Sequence, residues 1–219
     1  ILQNIFSHRG LPRAYAENTF SGINKSFDYV EFAETDVRIT KDHELILHHD
    51  AHIDNYFLKD LTIQEVANLL PNIDIEEIAL KERSQIKGKV NFEIKTDSLD
   101  QTEKDILFQK MLSILDSNDI VSSFDWQMIL SFKHLFNSRY GIILHKEEEL
   151  FEAEAIGIHD DEIFFMVNKD LFESRNFNLP QERTVLWTVN NELDFQRYSE
   201  IDLYGVVTDI PDTMHLYRK

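Results

Sequence analysis

Short β-type runs alternate with helical stripes along nearly the whole chain. The runs are NIFSH (4–8), YVEFAETDV (29–37), KVNFEIK (89–95), DIVSSF (119–124), YGIIL (140–144), EIFFMV (162–167), TVLWTV (184–189) and YGVVTD (204–209). Most are rich in β-branched or aromatic residues, as strands are. Between them, Phe20, Ile23 and Phe27 share one helical face behind Asn18, which predicts a helix capped by that asparagine. Thr62-Ile-Gln-Glu65 has capping-box spacing ahead of Val66 and Leu69. Leu107, Met111, Ile114 and Leu115 make another stripe, and Met128, Ile129, Phe132, Leu135 and Phe136 a further one. Leu193, Phe195 and Tyr198 form a weaker stripe behind Asn191. All are read as core-facing.

Eight strands alternating with helices predict a parallel (β/α)8 TIM barrel, a single domain over residues 1–219. An open doubly wound sheet is the alternative. The barrel makes a demand: working residues should stand at the C-terminal ends of the strands, where the βα loops converge. The polar clusters fall there.

Strand 1 ends in SHRG (7–10), and strand 2 carries Glu34 and Asp36, two residues apart and so on one face. Paired carboxylates are either a solvated acidic strand end or the ligands of a hard cation. Strand 3 ends in FEIK, where Glu93 and Lys95 share a face as a plain surface pair or as a contact with metal or anion. The stretch ELILHHD (44–50) runs an apolar strand into two histidines; alternation puts His49 and His48 on opposite faces, so one pocket does not take both without a kink.

Composition narrows the substrate. With 22 Lys and Arg against 40 Asp and Glu, the net charge is −18, which argues against binding nucleic acid or docking electrostatically on anionic lipid. An anionic small molecule remains compatible, because a metal ion or an Arg/Lys pair dominates the field inside a pocket. The absence of cysteine removes disulfides, thiolate metal sites and a cysteine nucleophile. No apolar run approaches the length of a membrane span, and the first residues lack the pattern of a signal peptide. A cytoplasmic location and no stable membrane association are expected, although numbering from Ile1 leaves room for a processed leader.

SHRG, ENT (17–19), ETDVRITKD (34–42), LHHD (47–50), FEIK (92–95), SSF (122–124), LWTVN (186–190) and VVTDIPD (206–212) together resemble the glycerophosphodiester phosphodiesterase family, in order and spacing. The resemblance implies a (β/α)8 barrel that hydrolyses small glycerophosphodiesters to glycerol 3-phosphate and an alcohol with a divalent cation. It implies Glu34, Asp36 and Glu93 as metal ligands, His8 and His49 as the acid/base pair, and Arg9 and Lys95 as phosphate holders. Glu17 matches an acid of the pocket with its role open, and Trp187 an aromatic near the substrate. His48 is left as a packing or surface residue.

The chemistry agrees with these assignments. Oxygen-only ligands favour Mg²⁺ or Ca²⁺, fixed positive charge meets the charge that develops on phosphoryl oxygens, and two histidines supply base and acid. Direct attack by water and attack by the glycerol hydroxyl through a cyclic phosphate both remain open.

Departures from the family pattern are Ala16 where a proline is usual and His43 where a turn glycine is usual, so His43 is expected at positive φ. The segment 51–89 is also short, which bears on substrate preference. Rival readings are a phospholipase-like barrel acting on lysophospholipids and a catalytically inactive barrel that binds glycerophosphate compounds. An aldolase or isomerase barrel leaves the His, Arg and Lys arrangement unexplained. The lipid reading needs a lipid-contacting surface, and no hydrophobic loop stands out in the sequence.

Overall fold

All eight apolar runs become strands, and the sheet they build closes on itself. The computed structural model describes residues 1–218. The chain opens with β1 (Asn4–His8), α1 (Phe20–Ser26) and β2 (Phe32–Ile39). An excursion follows: β3 (Leu45–Leu47), β4 (His52–Ile53), β5 (Tyr56–Phe57), α2 (Ile63–Leu69) and β6 (Ala79–Leu80). The alternation resumes with β7 (Lys89–Ile94), α3 (Gln101–Leu112), β8 (Ile120–Ser123), α4 (Trp126–Phe132), β9 (Arg139–Leu144) and α5 (Leu150–His159). It ends with β10 (Phe164–Asn168), α6 (Lys169–Phe172), β11 (Thr184–Trp187), α7 (Glu192–Ser199), β12 (Gly205–Thr208) and α8 (Pro211–Met214).

β1, β2 and β7 to β12 pair in parallel, and β1 bonds both β12 and β2, so the open sheet is excluded and the (β/α)8 barrel is the fold. β2 is long. Its first half pairs with β1 at Phe32–Glu34; on the same edge its last three residues take up antiparallel β3, which in turn pairs with β6, while β7 follows the other edge as far as Val37. ELILHHD therefore lies on a flap hung from β2 and not on a barrel strand.

Two cores result from strand alternation. One fills the space between sheet and helices; the other lies inside the barrel and contains Phe6, Phe32, Ile120, Ile143, Phe164, Met166, Val185 and Val207. The Phe6 and Phe32 rings stack with centroids 4.3 Å apart. Gly205 makes this possible, since a Cβ there would stand 2.5 Å from the Phe6 ring. Below them Arg139 lies over Phe32, Phe164 and Tyr204 and closes the floor. With the lower barrel filled by apolar groups, inward-facing polar residues have one place left, the C-terminal rim.

Several local expectations are corrected. Thr19, not Asn18, caps α1, its hydroxyl accepting from the Gly22 N–H; Asn18 sits at φ 55° and turns its amide towards β2. Thr62 does cap α2, but Glu65 accepts from the Thr62 hydroxyl instead of reaching back to the backbone. α4 ends at Phe132, which leaves Leu135 exposed, and Leu193 on α7 is exposed as well. His43 takes φ 61°, as its place in a glycine-like turn requires. The β4–β5 hairpin exposes the adjacent aromatics Tyr56 and Phe57, a hydrophobic loop not anticipated from the sequence. Among the described residues no helix is long and apolar enough to cross a membrane.

Candidate active site

A cavity of about 200 Å³ opens at the C-terminal rim, lined by His8, Arg9, Glu34, His49, Glu93, Lys95 and Trp187. Seven of the nine predicted site residues thus meet around one space. Asn91, Phe124, Ile143, Met166, Thr188 and Val207 complete its wall. The eighth residue, Asp36, lies just beneath, almost wholly buried against Arg9 and Lys95. The ninth, Glu17, stands outside the cavity and reaches it through Arg9, whose Nη1 donates to its carboxylate at 2.8 Å.

Register explains the convergence. His8 is directly across from Glu34, and Asp36 from Glu93, so the ends of β1, β2 and β7 deliver their inward side chains side by side. Arg9 and Gly10 then both take positive φ, 56° and 90°, which turns the chain sharply at the rim. Gly10 is required there on two counts: its φ, and the α1 backbone at Gly22 and Ile23, which a Cβ would meet at 2.7 Å.

The carboxylates are held under electrostatic tension. Glu34, Asp36 and Glu93 offer oxygens that all lie within 4.8 Å of one another. Burial, reinforced by Asp36 and Glu93, holds the Glu34 carboxyl well above the usual carboxylate range. Burial and then Asp36 push Glu93 up to about 8. Burial also works against Asp36, but Lys95, Glu93, Arg9 and Asn18 outweigh it and hold that carboxyl low. Asn18 is placed for this: its amide donates to Asp36 Oδ2 at 3.0 Å, while its oxygen accepts from the Thr35 hydroxyl and the Asp36 N–H. Glu34 Oε1 is buried without a hydrogen-bond partner among the described residues. A donorless buried carboxylate oxygen among three clustered acids is what a cation relieves, and the all-oxygen donor set suits a hard divalent ion.

Two histidines face the cavity, and each has a carboxylate on Nδ1. His8 Nδ1 lies 2.6 Å from Asp209 Oδ1, and His49 Nδ1 2.6 Å from Asp50 Oδ1. His8 Nε2 is turned to the carboxylates, 3.9 Å from Glu34 Oε2. The backbone of His49 is anchored by buried Arg38, which donates from Nε and Nη2 to the His49 carbonyl. His48 lies outside the cavity lining; its N–H donates to the Asp36 carbonyl, and burial lowers its pKa. Asp209, Asn18 and Arg38 are site residues that sequence reasoning missed, although all three lie within or beside the quoted motifs.

The sequence matches the model of the glycerophosphoryl diester phosphodiesterase family over residues 8–146, more than half of the chain. A curated glycerophosphodiester phosphodiesterase of Caldanaerobacter subterraneus is 25% identical over 98% of both chains. Among solved structures, a glycerophosphodiester phosphodiesterase of Thermotoga maritima superposes with a TM-score of 0.79 at 20% identity, covering 100% of this chain and 99% of the other. An Oleispira antarctica phosphodiesterase, solved with its product sn-glycerol-3-phosphate, gives 0.74 at 15% identity, covering 99% and 96%. The two structures speak to the fold, which is the same closed barrel. This chain belongs to the glycerophosphoryl diester phosphodiesterase family, enzymes that hydrolyse a phosphodiester bond.

Proposed function

We propose that the protein hydrolyses small, soluble glycerophosphodiesters to glycerol 3-phosphate and an alcohol, with Mg²⁺ or Ca²⁺ held by Glu34, Asp36 and Glu93. The observation that carries this reading is the convergence of two histidines, two cations and the acidic cluster on one cavity. A bound divalent cation supplies fixed positive charge next to the phosphoryl oxygens, where negative charge grows in the transition state.

The charge balance supports a phosphodiester in particular. With all three acids ionised, as cation binding would require, the carboxylates facing Arg9 and Lys95 leave the buried set one negative charge in excess. A dication held there would turn this into one positive excess, which a phosphodiester monoanion neutralises. The monoester dianion formed by hydrolysis overshoots neutrality, and this favours its release.

His8 and His49 exchange the protons, one taking a proton from the attacking hydroxyl and the other giving one to the leaving alkoxide. Each has Nδ1 committed to an aspartate, so Nε2 is the working atom of both rings. Arg9 and Lys95 hold the phosphate, with Glu17 steering Arg9 from outside. Trp187 offers a flat apolar wall together with an indole N–H that has no hydrogen-bond partner among the described residues, suited to a substrate oxygen.

The test is a panel of glycerophosphocholine, glycerophosphoethanolamine, glycerophosphoglycerol and lysophosphatidylcholine, with and without chelator, scored for glycerol 3-phosphate from the deacylated diesters and for lysophosphatidic acid from the lysolipid. Metal-dependent release from the soluble diesters is expected. Higher kcat/KM on micellar lysophospholipid moves the assignment to a lipid-directed enzyme, with Tyr56 and Phe57 as its contact surface.

A further inference from the structure

Behind the His8–Asp209 contact, the rim of the barrel's last two strands holds further hydrogen bonds that fix the aspartate. The Asp209 N–H donates to Asn190 Oδ1 at 2.8 Å, and the Thr208 hydroxyl donates to the same oxygen at 3.2 Å. A backbone N–H can only donate, so the orientation of the Asn190 amide is settled: oxygen towards Asp209 N, nitrogen towards the Asp209 side chain. Asn190 Nδ2 donates to Asp209 Oδ2 at 2.6 Å. The other carboxylate oxygen faces His8 Nδ1 at 2.6 Å. An ionised carboxylate can only accept, so Nδ1 carries the proton.

We propose that Asp209, oriented by Asn190, is a positioning residue that locks His8 in its Nδ1–H tautomer and leaves Nε2 as the ring's one proton-exchanging atom. The inference rests on the reading that His8 moves a proton at the phosphodiester. Register places the pair: Ser7 is opposite Thr208 in the β1–β12 ladder, so His8 and Asp209 are the next residues along on adjacent strands, at the seam where the barrel closes. Asp209 stays ionised because the hydrogen bond from His8, its charge and the Asn190 amide outweigh the effect of burial, holding the carboxyl below its usual range.

The relay yields an unusual demand on one substitution. In Asp209→Asn the new side chain must give its oxygen to Asn190 Nδ2, which turns its NH₂ group towards His8. That donor forces His8 to accept at Nδ1 and to carry its proton on Nε2, the wrong tautomer. Such an inversion behind a catalytic imidazole costs about 10⁴ in kcat where it has been studied. Here a fall of about 10²–10³ is expected, with KM within about threefold and Mg²⁺ affinity unchanged.

The experiment is long-range ¹H–¹⁵N correlation of the His8 ring at about pH 9, where imidazole is neutral, with and without Mg²⁺, alongside glycerophosphocholine kinetics. Wild-type protein should show a protonated Nδ1 and a bare Nε2, and Asp209→Asn the reverse. Wild-type His8 protonated on Nε2 overturns the proposal without any variant being made. An unchanged tautomer in Asp209→Asn, or an inverted tautomer with unchanged kcat, overturns it also. Wild-type protein that shows the Nδ1–H tautomer but hydrolyses none of the panel leaves the relay standing and refutes the functional reading.

Discussion

The two histidines of the site are held by opposite means. His8 ends a barrel strand, its ring is 22% exposed, and its aspartate is 27% exposed and braced by Asn190, which the Asp209 N–H holds in turn. His49 hangs on the flap after β3, its ring 39% exposed, and its aspartate is 72% exposed, with no hydrogen bond to another side chain among the described residues. What fixes His49 is its main chain, gripped by two donors from Arg38, a residue that is itself buried and paired to Asp97. One imidazole is thus oriented through its side-chain partner and the other through its carbonyl. An identical 2.6 Å Nδ1 contact in the two arms therefore does not imply an equal contribution. A surface ion pair contributes little, while a braced, half-buried one sets a tautomer.

The largest effect that bears on this contrast is loss of either ring. His8→Gln and His49→Gln should each lower kcat by about 10²–10⁴ with metal still bound, the range for losing a general acid or base. A silent His49 variant would remove the flap from the mechanism altogether. The backing residues come next. Asp50→Asn should cost less than about tenfold in kcat, far less than Asp209→Asn, and Arg38→Gln should cost more than Asp50→Asn because it frees the His49 backbone. Equal losses for Asp50→Asn and Asp209→Asn would erase the distinction between the arms. His48→Gln, next to His49 but outside the cavity lining, should stay within about tenfold of the parent, as expected for a change that removes no transition-state contact.

The smallest effect concerns stability. Glu93 titrates near 8 in the folded metal-free protein, above its ordinary value, so the native state binds more protons than the unfolded state between about pH 4.5 and about pH 8. Stability from this group is fully present below that window and is lost as pH rises through it. Glu34 shifts in the same direction. Asp36 and Asp209, held low, act with the opposite sign, but their contribution is already complete above the unfolded aspartate range of about 4. The melting temperature of chelated protein should therefore fall by a few degrees from about pH 5.5 to about pH 8. Added Mg²⁺ should raise it more at the upper end. A flat profile would mean that the three acids are not crowded as the structure places them.

The barrel strands are legible in the sequence because a core on both faces draws β-branched and aromatic residues into short runs, and eight such runs survive to be read. The flap is legible only in part: ELIL reads as the apolar strand that β3 is, whereas β4, β5 and β6 are two residues long, too short for any period. Asn18 reads as the cap of α1, but tertiary contact with β2 takes it away to serve Asp36, and Thr19 caps the helix instead. Leu135 and Leu193 match a helical period but fall past a helix end or on the solvent side. Glu34, Asp36 and Glu93 are legible because carboxylates cannot line a barrel rim in pairs without a reason. Asp209 stands 201 residues from the ring it orients, and nothing local to VVTDIPD marks it as a partner of SHRG. Closure of the barrel makes that pair, and closure is a property of the whole chain.

The most direct measurement is release of glycerol 3-phosphate from glycerophosphocholine by chelated protein titrated with Mg²⁺ or Ca²⁺, run in parallel on Glu93→Gln. The arrangement of Glu34, Asp36 and Glu93 at the histidine-lined cavity predicts no turnover before metal is added and full turnover on saturation. In the variant it predicts weakened metal binding with little activity at any concentration. Undiminished turnover in the chelated wild-type protein would contradict the account.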